Sequence, residues 1–214
     1  MKSRLTYLIN KMRRYRHAPL INFAGQIVLF ILGGICIGMI SAWYMIEKGS
    51  SLTTSDTGSW KLWMHDGDVG ADPYTLAHMS RSGRLPITSS NALYFVAIKD
   101  SEDERIAADC DYAVNGKPLD ADWWSLAIYS RDGRLINNKS KKPFVNSSSL
   151  LRLGDGGYEI NLAQKARQGN WIELTGDEDL VLMLRLYGIH ATKDTKRNNA
   201  IEQNLPTIRR LDCH

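Results

Sequence analysis

The run from Gly25 to Ile46, GQIVLFILGGICIGMISAWYMI, holds no charged residue and constrains this chain more than any other feature. As a helix rising 1.5 Å per residue it would be about 33 Å long, against a hydrocarbon core of about 30 Å. A cleaved signal peptide has the same order of parts, but its apolar region is typically ~7–15 residues and ends in small residues. Here Ile40-Ser41-Ala42 is a poor cleavage match, and Trp43 and Tyr44 follow where interfacial aromatics belong. The sequence favours an uncleaved single span, contacting lipid through residues 25–46, over a cleaved signal.

Charge supplies a direction. Residues 1–24 carry Lys2, Arg4, Lys11, Arg13, Arg14 and Arg16 with no acid, and only the Glu47/Lys48 pair directly follows the span. The positive-inside rule then predicts a cytoplasmic segment 1–24 and places residues 47–214 across the membrane. Residues 49–214 hold 20 basic and 22 acidic side chains, so the net charge of +4 belongs to the N-terminus. A nucleic-acid partner is not expected. Gly34 and Gly38, continued by Ala42, have the small-xxx-small spacing that lets two helices pair, so a helix–helix dimer is an open expectation. Cys36 inside the span is read as a small apolar filler.

Beyond the span, residues 47–57 are polar and small and read as a tether. A globular domain is predicted over 58–190, followed by a polar, irregular tail at 191–214 packed on its surface. Asp72, Pro73 and Gly83 suit the cap, first position and end of a short helix in DPYTLAHMSRSG. Nearly everything afterwards reads as strand: ALYFVAIKD, CDYAVNGKPL, WWSLAIYSRDGRLI, GGYEINLA and DLVLMLRLYGIH, the last ending at His190. Asn115-Gly116 and Asp132-Gly133 are strong hairpin-turn dipeptides. Short strands with turns about every 8–12 residues predict an antiparallel β-sandwich or jelly roll. Within WWSLAIYS, alternation sends Trp124, Leu126 and Ile128 to the core and Trp123, Ser125, Ala127 and Tyr129 to the other face.

Catalytic motifs are missing. There is no phosphate loop, dinucleotide fingerprint or nucleophile elbow, so no cofactor is predicted. His17, His65, His78, His190 and His214 never fall at metal-pair spacing, and HDGDVGAD fails as a calcium loop because Gly70, Ala71 and Ala77 stand at required positions. No metal is predicted. The pairs Asp120/Asp122 and Asp177/Asp179 could in principle form a carboxylate dyad, but both lie at predicted turns where aspartate is expected anyway. Cys110 and Cys213 both fall beyond the span. A disulfide tying the tail to a strand is favoured over two free buried thiols.

The phrases DPYTLAHMSRSGRLP, CDYAVNGKPLDADWWSLAIYSRDGRLI, GNWIEL, LVLMLRLYG and LPTIRRLDC, in this order, resemble the bacterial domain-of-unknown-function family numbered 1214, in its short membrane-anchored form. The resemblance covers about residues 58–213. It implies a mainly β, jelly-roll-like domain facing the periplasm, with the span in the inner membrane. Longer members carry a second domain, numbered 1254, which a separate protein would here supply as partner. The resemblance brings no mechanism and no catalytic residue; Trp124, Asn170, Trp171, Arg185 and Tyr187 match it and serve fold definition at the least.

Three functions follow as expectations. The first is a non-catalytic interaction module of the cell envelope; the second is a carbohydrate- or envelope-ligand-binding domain; the third, least favoured, is a carboxylate hydrolase. Speculative contact residues are Trp123, Tyr129, Arg185 and Trp171. Arg185 lies in an otherwise apolar strand and must point outward or find a partner, a structural pairing being favoured over ligand binding.

Overall fold

The computed structural model describes residues 2–50, 52–82, 85–176, 179–189 and 204–214, with side chains from Asn22 onward. The expectations for the basic side chains at 2–16, for Gly83, Asp177 and His190, and for the tail at 191–203 lie outside what is described. The chain divides into two units, Met1–Lys48 and Gly49–His214. The first is the helix α1 (Lys2–Lys48), whose stretch Asn22–Lys48 is long and apolar enough to cross a membrane. A membrane anchor and a signal sequence are both compatible with that length and composition.

The second unit is a β-sandwich. One sheet has six strands in the order β1 (Thr54–Thr57), β2 (Trp60–Trp63), β3 (Ala92–Ala97), β9 (Leu180–Tyr187), β5 (Trp123–Ser130), β6 (Phe144–Asn146). The other has four, β10 (Thr207–Cys213), β4 (Cys110–Gly116), β7 (Tyr158–Ala163), β8 (Asn170–Glu173). A strand buried on one face alternates with period 2, and LVLMLRLY in β9 does so along its whole length. Leu180, Leu182, Leu184 and Leu186 enter the core beside Trp124, Leu126 and Ile128 of β5. Tyr112 and Val114 of β4 and Ile160 and Leu162 of β7 belong to the same cluster. Each such side chain contributes about 1.5–3 kcal/mol relative to exposure.

The helix α2 (Pro73–Ser82) starts as its sequence predicts. Asp72 Oδ1 accepts the backbone N–H groups of Tyr74 and Thr75 at 2.9 and 3.1 Å. Desolvation works against the Asp72 anion, but these bonds and the Thr75 hydroxyl outweigh it and hold the carboxyl below its ordinary range. His78 of this helix stacks on Trp63 of β2, with ring centroids 4.0 Å apart.

Four sequence expectations need correction. Asn115-Gly116 is the end of β4, paired with Glu159 and Tyr158 of β7, and not a hairpin turn. Glycine is required there for space: a Cβ on Gly116 would lie 2.3 Å from Cζ of the Tyr158 ring. Asp132-Gly133 does turn, with Gly133 at φ +82° and Ser130 N–H donating to Arg134 O at 2.8 Å. Second, the sheets are not antiparallel throughout, because β7 and β8 run parallel with Ile160 beside Asn170. Parallel neighbours normally need a connection of about a dozen residues or more. Six residues, 164–169, suffice here because the chain need retrace only about 10 Å along these short strands.

Third, the end of the tail is not irregular. Residues 207–213 form β10 against β4, and Ile208 is fully buried. Fourth, the predicted linker 47–57 is not linker throughout, because Thr54–Thr57 form β1 of the six-stranded sheet. Helix α1 continues to Lys48, and within the second unit Ser50 O accepts the N–H groups of Thr53 and Thr54 at 2.9 and 2.8 Å.

One core residue yields a stability prediction. Tyr158 is 1% exposed and its hydroxyl has no hydrogen-bond partner among the described residues. Burial pushes its ionisation well above the ordinary tyrosine range. An unsatisfied buried hydroxyl costs about 1–3 kcal/mol. Tyr158→Phe is expected to leave stability unchanged or raise it by about 1 kcal/mol, measured by urea denaturation; a loss of similar size would show that the hydroxyl is satisfied.

Candidate functional site

The strand pattern that fills the core also builds an outer face on the six-stranded sheet. Because Leu184 and Leu186 point inward, Arg185 and Tyr187 of β9 point outward. By the same alternation Trp123, Ser125, Ala127 and Tyr129 of β5 share that face, and register sets Trp123 beside Tyr187 and Ser125 beside Arg185. Tyr94 of β3 stands on the other side of Arg185. Three strands, β3, β9 and β5, thus bring together residues that are far apart in sequence.

The contacts are specific. Arg185 Nη2 donates to the Tyr129 hydroxyl at 2.6 Å, and the guanidinium carbon lies 5.3 Å from the centre of that ring. Trp123 and Tyr187 have centroids 5.5 Å apart and tilted by 50°, while Tyr94 meets Tyr187 edge to face at 6.4 Å. Ser125 and Ala127 are only 5% and 2% exposed although they face away from the core. Their small size leaves room for the long neighbours that flank them. Burial, then the hydrogen bond and charge interaction with Tyr187, push the Tyr94 hydroxyl up to about 12; Arg185 works in the opposite direction and buried Asp66 in the same one.

Three of the four speculative contact residues, Trp123, Tyr129 and Arg185, therefore lie on one face. Trp171 does not join them. It points out of β8 on the four-stranded sheet and donates its Nε1–H to Ala163 O at 3.1 Å. Sequence reasoning missed Tyr94 and Asp66. Tyr94 sits in the unbroken apolar run ALYFVA, which shows no alternation, and Asp66 lies in HDGDVGAD, whose spacing suggests nothing beyond a failed calcium loop. Neighbouring Asp68 has a structural role, accepting both the N–H and the hydroxyl of Ser89.

Arg185 has no carboxylate within ion-pair distance among the described residues; its hydrogen-bond partner is the Tyr129 hydroxyl. A half-buried guanidinium carries five N–H donors, so this face retains capacity for an anionic or carbonyl acceptor.

The other chemistries find little support. Among the described residues no group of three or more His, Cys, Asp or Glu side chains could hold a metal ion. Asp120 and Asp122 are exposed, and Asp179 is bound by Arg105 and Arg131 at 3.0 and 3.3 Å. A cavity of about 400 Å³ beside Ser130, Leu135, Thr175 and Leu180 has one ionisable lining residue, Arg134, which pairs with Asp132 at 2.6 Å. Trp60, Trp63 and Trp124 are buried, and the half-exposed Trp123 and Trp171 are on different sheets. No pair of coplanar tryptophans forms a sugar platform among the described residues.

Fold and surface together define a β-sandwich domain carried behind one long apolar helix. Residues 91–191 match the model of the family described as protein of unknown function (DUF1214), which supports the family assignment read from the sequence. Among solved structures, the VPA0106 protein from Vibrio parahaemolyticus is similar at 18% identity with a TM-score of 0.56, covering 84% of this chain and 44% of that one. An uncharacterized protein from Burkholderia cenocepacia is also 18% identical, with a TM-score of 0.46 over 81% of this chain and 41% of that one. This chain therefore spans less than half the length of either. A search of curated proteins finds no match.

Proposed function

We propose that this is a single-pass protein of the bacterial inner membrane, with its N-terminus in the cytoplasm, whose periplasmic β-sandwich is a non-catalytic interaction module of the cell envelope. The observation that carries the reading is the outer face of the six-stranded sheet, where Trp123, Tyr129, Tyr187 and Arg185 converge without an acid–base pair. Aromatic residues and arginine are the types that dominate binding energy at protein interfaces. The larger V. parahaemolyticus protein covers this fold with less than half its length. The family resemblance makes a separate protein carrying the family 1254 half-domain the favoured partner.

Site-specific photocrosslinking in cells tests this. A photoreactive amino acid at Tyr187 should yield one discrete adduct, identified by mass spectrometry as an envelope protein, whereas the same group at Trp171 should not. Arg185→Ala should reduce that adduct at least several-fold. Equal labelling from both sheets, or no adduct from Tyr187, would count against the reading.

A further inference from the structure

Strand register carries the outer face of the six-stranded sheet beyond its aromatic cluster. Directly opposed residues of neighbouring strands share a face, with Cβ atoms about 5 Å apart. Val96 of β3 opposes Met183 of β9, Met183 opposes Ala127 of β5, and Ala127 opposes Phe144 of β6. This row points away from the core. Phe95 and Ala97, which flank Val96, belong to the core cluster, and Val145, next to Phe144, packs against it. Four apolar side chains therefore stand side by side across about 15 Å of sheet. Val96 and Met183 are half-buried, and Phe144 at the end of the row is 47% exposed.

Arg185 stands in the next row, between Tyr94 of β3 and Ser125 of β5, with Asn146 of β6 beyond. None of these neighbours is an acid. Asn146 Oδ1 already accepts the N–H groups of Ser148 and Ser149, both at 3.0 Å. The six strands of this sheet carry two other charges, Asp56 and Lys61, and these neutralise each other at 2.8 Å. The face is thus apolar around one cation that no carboxylate within ion-pair distance balances among the described residues. That guanidinium has used one of its five N–H donors on Tyr129.

A partner that covers this face strips water from Arg185. An apolar partner alone would leave the charge buried and unpaired, which is strongly unfavourable. A carboxylate set among apolar groups removes that penalty and matches the planar guanidinium in a two-pronged pair. A lipid phosphate fits less well, because its apolar chains lie on one side of a hydrated layer. Here apolar or aromatic side chains flank Arg185 on both sides, Met183 in one row and Tyr187 with Trp123 in the other.

We infer that Arg185 receives an Asp or Glu side chain set within an apolar surface of a partner protein. The groups around that acid pack on the row from Val96 to Phe144 on one side, and on Trp123 and Tyr187 on the other. The inference rests on the interaction reading proposed above and supplies the chemistry by which the partner is selected: proteins without the acid are rejected by the cost of burying Arg185.

The sign of one substitution tests it. With the photoreactive group at Tyr187 of the full chain in cells, Arg185→Met should lower the adduct about tenfold or more, because the partner's acid is then buried without its cation. Against a partner lacking an acid, the same change removes a buried charge and leaves the adduct unchanged or raised. Arg185→Lys keeps the cation. A water-soluble carbodiimide, which joins an amine to a carboxylate in direct contact, should then link position 185 to an Asp or Glu of the same protein, located by mass spectrometry. An adduct unchanged or raised by Arg185→Met would overturn the inference and leave the interaction reading standing. So would a loss with Arg185→Met but no carbodiimide link at position 185, since the acceptor is then not a carboxylate. A link to a second copy of this chain, or an adduct of lipid mass, would replace the partner protein and overturn the inference. No adduct from the chain with Arg185 intact would remove the interaction reading, and this inference with it.

Discussion

Cys213→Ser is expected to lower the unfolding free energy by about 3–5 kcal/mol. The structure bonds Cys213 at the end of β10 to Cys110 at the start of β4, across a sequence separation of 103. Cross-linking so long a loop removes much closure entropy from the unfolded chain, ~4.7 kcal/mol for a loop of about 100 residues in the chain-entropy model. The local structure amplifies the effect. β10 is an edge strand whose pairing with β4 shifts register between Arg210 and Cys213, so ladder bonds alone hold its last residues weakly. Cys213 is the cleaner partner to replace because it is exposed, whereas Cys110 is 5% exposed and serine there would add a buried hydroxyl. Denaturation of the full chain in detergent, with and without reductant, measures the difference through tryptophan fluorescence. Reductant should move the wild type to the Cys213→Ser midpoint and leave the variant unmoved. Coincident wild-type curves would remove the stabilising role.

Such a bond forms stably in an oxidising compartment, which connects the stability argument to the proposed topology. Thiol alkylation of intact cells should then modify Cys36 alone after denaturation without reductant, and all three cysteines after reduction.

The sequence made the sandwich legible where one face of a strand is buried and the other is not. β9 shows a two-residue period of burial, and the core residues of β9 and β5 are those the alternation selects, although Ser125 and Ala127 on the other face of β5 are buried as well. The face carrying Trp123, Tyr129 and Arg185 followed from the same pattern, though nothing in sequence could set Tyr129 four positions away against the Arg185 guanidinium. That meeting depends on the register of β5 with β9. Legibility failed where tertiary contacts override local chemistry. Asn115-Gly116 is a turn dipeptide by propensity, yet Gly116 is spent on the Tyr158 ring. TIRRLDC carries two arginines and an aspartate and resembles a solvated tail; one buried isoleucine, one ion pair and the disulfide make it a strand. Polar composition hid each of these.

That ion pair carries the second large effect, with Arg210→Met expected to destabilise the domain by about 3 kcal/mol. Asp100 is buried to zero side-chain exposure, and Oδ1 accepts the backbone N–H groups of Glu102 and Glu104 at 2.9 and 3.0 Å. The second oxygen, Oδ2, faces Arg210 Nε at 2.9 Å. Arg210 also donates from Nη2 to Arg105 O at 2.8 Å and lies 5.8 Å from the Tyr112 ring centre. The guanidinium thus joins β10 to the 100–105 turn and neutralises a carboxylate that water cannot reach. Methionine preserves much of the side-chain volume but leaves the acid buried and unpaired. Breaking a buried pair costs about 3–5 kcal/mol; the 25% exposure of Arg210 argues for the lower end, since water can partly replace it. A double-mutant cycle separates charge from packing. Asp100→Asn alone should also destabilise, but combined with Arg210→Met it should cost clearly less than the two losses added together. Strict additivity would mean that the two residues stabilise the edge strand independently, and that their contact contributes nothing of its own.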